Sequence, residues 1–299
     1  MFRPVSAGRA MRAIHRVFIA LCWTALGALA LGWTLQAACA LPPSPGAGRF
    51  AGLVFAHRAQ SGGGTPENTL AAIRAAARAG VRAVELDVRL TADGQAVILH
   101  DETVDRTTEG YGRVDALTLA EARALDACGA LAGCSGERIP TLDEAVALAS
   151  ELGLAVELDV KDVDRAAVSE AIAATLARHD AFGHVFASSF YPQVLYALRS
   201  REPRLVTALA IRPDATGVAL VDRVLMSFWL PHWLGVGLIE PHRDLVSAER
   251  VAAWRQRGFL VNAWTVNDGA EKAWFRHLGI AFTTNCPGTS CPDDSSDSM

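Results

Sequence analysis

Residues 53–109 read LVFAHRAQSGGGTPENTLAAIRAAARAGVRAVELDVRLTADGQAVILHDETVDRTTE, and the fold can be read outward from them. The stretch opens as a short apolar strand, LVFA, that ends in His57-Arg58. A glycine-rich loop at 61–64 and Pro66-Glu67-Asn68-Thr69 lead into an Ala/Arg helix. A second strand, AVELDV, sets Glu85 and Asp87 two residues apart, and a third apolar run, AVILH, stops at His100-Asp101. Each polar group falls at the C-terminal end of a predicted strand. That rim carries the active site in parallel α/β barrels.

The rest of the chain repeats the alternation. Helical patterns cover 68–80, 142–152, 165–179, 192–200, 247–258 and 269–278, several ending at glycine. Strand patterns cover 53–57, 83–88, 96–100, 154–160, 184–188, 205–211, 236–240, 259–264 and 280–284. So many units predict a (β/α)8 TIM-type barrel over 50–290, with one strand candidate too many for eight staves. RLTADGQ, between the second and third strands, has no room for a helix. If Asp87 and His100 share a rim, parallel pairing rules out a hairpin there, and the chain must return across the barrel in extended form. After the third strand comes a long insertion, 101–140, of the kind that shapes substrate pockets.

With 51% hydrophobic and 20% charged residues, the 299-residue chain is neither disordered nor highly charged. Arg3, Arg9, Arg12 and Arg16 precede an apolar run at 17–41, and Ala38-Cys39-Ala40 offers a small-x-small cleavage site. Residues 1–41 therefore read as a secretory signal peptide or, given the length of the run, an N-terminal membrane anchor. Either places the body outside the cytoplasm, periplasmic or secreted. Without those four arginines the formal charge falls from −4 to −8, a poor balance for a nucleic-acid partner. Residues 42–49, PPSPGAGR, read as a linker and 291–299 as a disordered tail. In an oxidising compartment the remaining cysteines pair locally as Cys128–Cys134 and Cys286–Cys291.

Glu85 and Asp87 share one strand face, and Glu157, Asp159 and Lys161 repeat the pattern in VELDVKD. Two neighbouring carboxylates are costly to bury without a cation, and an all-oxygen set selects Ca²⁺ or Mg²⁺ over zinc. Either pair alone also suits a solvated strand end; on neighbouring strands the two together favour a divalent metal site. Two histidines on the same rim, His57 and His100, suit acid–base cleavage of a phosphodiester. Arg58 can hold phosphate oxygens by a fork and Lys161 as a point charge. The loop 62–64 lacks the features of a P-loop or a dinucleotide fingerprint and is read as a flexible loop near the pocket.

His57-Arg58, Pro66-Glu67-Asn68-Thr69, Glu85-Leu86-Asp87, Thr91-Ala92-Asp93-Gly94, His100-Asp101 and Arg106-Thr107-Thr108 form an ordered series. Arg138-Ile139-Pro140-Thr141-Leu142, Ser188-Ser189-Phe190 and Trp264-Thr265-Val266-Asn267 continue it. The series resembles the glycerophosphodiester phosphodiesterase family of the phospholipase-C-like superfamily. The resemblance implies a barrel that hydrolyses a small phosphodiester to glycerol 3-phosphate and an alcohol with a divalent metal. It implies His57 and His100 as the acid/base pair and Arg58, Lys161 and Trp264 as substrate contacts. Glu85 and Asp87 are the implied metal ligands, with Asp159, or Glu157 through a shifted strand, as the third. Two rivals are a lysophospholipase D on the same barrel and an exported binding protein. Three features depart from the family pattern. Ala59 replaces a usual glycine, and Asn285 replaces a usual carboxylate. The aromatic run LMSFWLPHWL, 225–234, is either a barrel helix packed on the sheet or an apolar lip that touches a membrane.

Overall fold

The computed structural model describes residues 40–60, 64–129, 131–213 and 229–288. The chain separates into two compact units, Met1–Ala40 and Leu41–Met299. Nearly all of the signal or anchor segment lies outside the described residues, as do 225–228 of the aromatic run and the tail. Among the described residues no helix is long and apolar enough to cross a membrane.

The second unit carries nine strands: β1 (Val54–Ala56), β2 (Ala83–Leu90), β3 (Ala96–Ile98), β4 (Ala155–Val160), β5 (Val185–Ser189), β6 (Val206–Ile211), β7 (Leu238–Pro241), β8 (Leu260–Ala263) and β9 (Ala281–Thr284). Eight of them close a parallel barrel in the order β1-β2-β4-β5-β6-β7-β8-β9, and β9 pairs back onto β1. The surplus strand is β3. It pairs antiparallel with the end of β2, Val88 opposite Ile98 and Leu90 opposite Ala96. The extended return expected across the barrel is therefore corrected to a hairpin. β2 runs past Val88, its last residue paired with β4, and turns at Asp93-Gly94, a dipeptide suited to tight turns, with Gly94 at φ 72°. Antiparallel pairing then brings the chain back to the rim, where Leu99 N–H donates to Asp87 O at 3.0 Å. The insertion thus consists of β3 and 101–140, placed between the second barrel strand and its helix.

The described helices are α1 (Leu70–Arg78), α2 (Leu119–Ala124), α3 (Leu142–Glu151), α4 (Arg165–Arg178), α5 (Pro192–Arg201), α6 (Trp229–Leu234), α7 (Ala248–Gln256) and α8 (Gly269–Leu278). Their starts follow local chemistry. Thr69 caps α1, and Thr118 and Thr141 form capping boxes with Glu121 and Glu144 at α2 and α3. Outward-facing strand residues such as Val84, Leu86, Val156 and Leu158 pack under α1, α3 and α4. The described part of the aromatic run behaves as a packed helix. Leu230, Pro231 and Leu234 are buried, and Trp233 stacks on Tyr196 at 4.9 Å.

Inward-facing residues form layers, because strand side chains alternate. The floor is apolar: Phe55, Ala83, Phe186, Val206, Leu238 and Ala281, plugged by Phe50 against Phe186 at 4.8 Å. The stretch read as a linker is laid on this floor, with Ser44 Oγ donating to Gly235 O and Ala47–Phe50 forming a short 3-10 turn. The next layer is polar, with Glu85, Glu157, Ser188, Glu240, Asn262 and Thr283 all buried. Above it lies the rim. A barrel that changes from hydrocarbon to carboxylate along its axis has committed one end to chemistry.

Candidate active site

β2 and β4 are in register, Glu85 beside Glu157 and Asp87 beside Asp159. This brings ligand oxygens of Glu85, Asp87 and Asp159 within 4.8 Å of one another. Glu85 and Asp87 are buried at 3% and 0% exposure, so neither is a solvated strand-end acid. Burial, then Asp87, Glu157 and Asp159, push the Glu85 carboxyl well above the usual carboxylate range. Asp87 goes the other way. Burial raises it, but Lys161, His100 and Arg58 together outweigh burial and hold it ionised. Asp159 Oδ1 is buried without a hydrogen-bond donor, and Asp87 Oδ1 meets the Lys161 ammonium at 3.0 Å. Oxygens so placed suit a hard divalent cation.

The shifted-strand alternative, Glu157, sits one layer lower and is engaged there. Ser188 Oγ donates to Glu157 Oε1 at 3.0 Å, and Asn262 Nδ2 lies 2.9 Å from both Glu157 Oε2 and Glu240 Oε1. Burial pushes Glu240 up to about 8 and Glu157 well above its usual range, so the pair retains a proton near neutrality. Glu240 was not singled out from sequence, because one acid in LIEP resembles any strand-end carboxylate.

His57 begins a tight turn directly after β1. Arg58 and Ala59 both take left-handed conformations, at φ 52° and 56°, in a region that costs most residues about 1–2 kcal/mol. A glycine would fit there without strain, which explains the usual glycine at the Ala59 position. The turn aims Arg58 N–H at Glu85 Oε2, 2.7 Å away, and leaves His57 Nε2 3.9 Å from the same oxygen. His57 Nδ1 lies 2.6 Å from Asn285 Oδ1. Burial, then the Arg58 charge, push His57 down to about 4, so it is neutral near pH 7. Asn285 is itself held in place, since its N–H and Thr284 Oγ1 both donate to Asn267 Oδ1.

His100 reaches the rim from the β2–β3 hairpin, not from the end of a barrel strand as the strand pattern implied. Arg89 Nε pins its carbonyl at 2.8 Å, and its Nδ1 lies 2.7 Å from Asp101 Oδ1. A network continues from there. Arg106 Nε donates to Asp101 Oδ2 at 2.6 Å, Arg106 Nη2 to Glu67 Oε1 at 2.6 Å, and Arg58 Nη1 to the same Glu67 oxygen at 3.0 Å. Glu67, Asp101 and Arg106 thus tie His100 to Arg58. Asn68 Nδ2 adds a 2.7 Å bond to Asp87 Oδ2. These residues stood inside recognised motifs, but spacing alone assigned them no role. Lys161 Nζ donates to Asp159 Oδ2 at 2.6 Å and lies 3.0 Å from Asp87 Oδ1.

Trp264 follows β8, on the side of the rim away from β2. Its Nε1 donates to Glu240 O at 2.9 Å, and its ring meets Phe190 at 5.4 Å and His242 at 5.0 Å, both edge-on. Arg212 lies 5.5 Å from the Phe190 ring centre. One half of the rim, after β1, β2 and β4, is charged; the other, after β5 to β8, is aromatic. Of the expected disulfides, Cys128–Cys134 is present; Cys286 is disulfide-bonded, and its expected partner Cys291 lies outside the described residues.

An eight-stranded parallel barrel with histidines, arginine, lysine and three converging carboxylates on its C-terminal rim defines a class, the barrel phosphodiesterases. Residues 57–289 match the profile of the glycerophosphoryl diester phosphodiesterase family, and the chain belongs to that family as a phosphoric diester hydrolase. It is 35% identical over 261 residues to the glycerophosphodiester phosphodiesterase 1 of Bos taurus, covering 79% of this chain and 78% of that one. The Caldanaerobacter subterraneus glycerophosphodiester phosphodiesterase is 40% identical over 219 residues, 72% of this chain and 86% of its own. Among solved structures, an Oleispira antarctica phosphodiesterase in complex with the product sn-glycerol-3-phosphate aligns at a TM-score of 0.69 and 28% identity. The alignment covers 81% of this chain and 96% of that one.

Proposed function

We propose that this chain hydrolyses glycerophosphodiesters to glycerol 3-phosphate and a free alcohol, using a Ca²⁺ or Mg²⁺ ion held by Glu85, Asp87 and Asp159. The observation that carries the reading is the convergence of those three carboxylates beside two histidines, an arginine and a lysine. The cation, when bound, supplies Lewis-acid polarisation of the phosphoryl oxygens. The chain's own groups do the rest. Arg58 Nε makes no hydrogen bond, with Asp87 Oδ2 3.7 Å away, and is the donor we assign to a phosphate oxygen, while Lys161 adds a second positive charge. Each histidine has its Nδ1 occupied, by Asn285 or Asp101, and keeps Nε2 for proton transfer. One imidazole takes the proton of the attacking hydroxyl, and the other gives one to the leaving alcohol. Trp264 and Phe190 form an aromatic wall on which the alcohol portion is oriented. The body acts outside the cytoplasm, as the N-terminal arginines and apolar run suggest and the Cys128–Cys134 bond supports.

The test is a panel of glycerophosphocholine, glycerophosphoethanolamine and lysophosphatidylcholine, with EDTA and with Ca²⁺ or Mg²⁺ restored. Release of glycerol 3-phosphate that stops in EDTA and returns with one ion is the expected result. Full turnover in EDTA would remove the metal from the reading. Preference for the lysophospholipid would make the enzyme a lysophospholipase D, and inertness toward every diester would favour the binding-protein rival.

A further inference from the structure

A second concave surface carries charge of the opposite kind. A cavity of about 420 Å³ is bordered by Arg74, Arg78, Arg123, Arg138, Glu137 and Glu144, between α1, the start of α3 and the insertion. Its volume falls in the range of small-molecule sites. Arg74 and Arg78 stand four apart on α1 and so share a helix face, while Arg123 and Arg138 come from the insertion. One wall is pinned. Arg123 Nη2 donates to Glu144 Oε1 at 2.8 Å, and Arg138 Nη1 donates to Ala124 O at 2.8 Å. The other wall is uncommitted, because Arg74 and Arg78 have no carboxylate partner among the described residues. Four guanidinium groups therefore face two carboxylates, in a chain whose formal charge is −4.

We propose that this cavity is a binding site for a small phosphorylated anion, separate from the catalytic rim. Guanidinium forks match phosphate oxygens bidentately, and several converging on one concavity favour a multiply charged ligand over a lone carboxylate. Fixing two of the four in advance lowers the ordering cost of binding. The phosphate can belong to a soluble compound or to a lipid headgroup, and the experiment separates the two.

Pyrophosphate is titrated calorimetrically into the full chain and into the double variant Arg74→Gln/Arg78→Gln, whose exposed side chains leave the fold intact, as matched thermal midpoints will check. Charge-assisted bonds of this kind imply a loss on the order of tenfold to a hundredfold in affinity for the variant. Turnover of glycerophosphocholine without pyrophosphate is expected to stay at the wild-type level. Superimposable isotherms for the two proteins would overturn the proposal, as would a parallel fall in basal turnover, which would place the arginines in the catalytic site. Phosphatidylglycerol vesicles form the second arm. Sedimentation that the double variant loses identifies a headgroup, whereas pyrophosphate binding without sedimentation identifies a soluble ligand.

Discussion

At the scale of single residues, the two histidines differ in what stands behind them. His100 has the carboxylate of Asp101, and His57 has the amide of Asn285. The amide oxygen fixes the tautomer and favours the imidazolium only through one neutral hydrogen bond, which does not offset the burial and the Arg58 charge that push His57 down to about 4. Asn285→Asp should raise the His57 pKa, because a nearby anion favours the charged ring. The limb of the kcat/KM–pH profile that reports His57 then moves to higher pH, whichever proton it handles. A profile identical to wild type would disconnect Asn285 from the chemistry. His57→Ala and His100→Ala should each lower kcat by about 10²- to 10⁴-fold with the fold retained, read from glycerophosphocholine turnover and circular dichroism. Glu67 touches neither histidine, but it holds both Arg58 and Arg106. For Glu67→Gln we expect a loss on the order of tenfold to a hundredfold in kcat/KM at nearly unchanged thermal stability.

At the scale of elements, the β2–β3 hairpin decides where His100 lies. Helical and barrel-strand patterns are periodic and were legible: the barrel strands and six of the described helices lie within a few residues of the predicted spans, whereas the short α2 inside the insertion was not read. The hairpin was misread, because an apolar triplet after a parallel strand looks the same whether it continues the barrel or folds back on its neighbour. Asp93-Gly94 was the available signal. The hairpin and α3 support each other, since Ile98 N–H donates to Pro140 O directly before the Thr141 cap. Thr141→Ala removes the hydroxyl half of the capping box, leaving the Thr141 N–H bond to Glu144, and should cost about 1 kcal/mol of stability, measured by chemical denaturation. No change in denaturation midpoint would mean that the Thr141 hydroxyl does not hold the helix start.

At the scale of the whole molecule, the barrel brings together acids that repel one another. Glu85, Asp87 and Asp159 are held by strand register, and burial penalises the charges of Glu85 and Asp87. A cation that binds the folded chain and not the unfolded one stabilises it by about 2.7 kcal/mol at a hundredfold excess over its Kd. For a domain of this size that corresponds to a rise of about 5–10 °C in Tm. The rise should appear with Ca²⁺ or Mg²⁺, vanish with EDTA, and be lost in Asp87→Asn. An equal rise in that variant would locate the cation elsewhere.

The order of its residues already determined this protein's alternation of strand and helix, its polar strand tips, the two histidines, His57 and His100, that reach its rim, and its family. Those properties are local, set by periodicity, capping and motif spacing. Tertiary structure alone decided that Asp159 and not Glu157 completes the carboxylate trio, because only the β2–β4 register puts Asp87 and Asp159 in one layer and Glu157 below, bonded to Ser188 and Asn262. It alone joined Glu67 to Arg106, 39 residues apart, and His57 to Asn285, 228 residues apart. Pairings at that separation depend on how the barrel closes, and no local pattern encodes them.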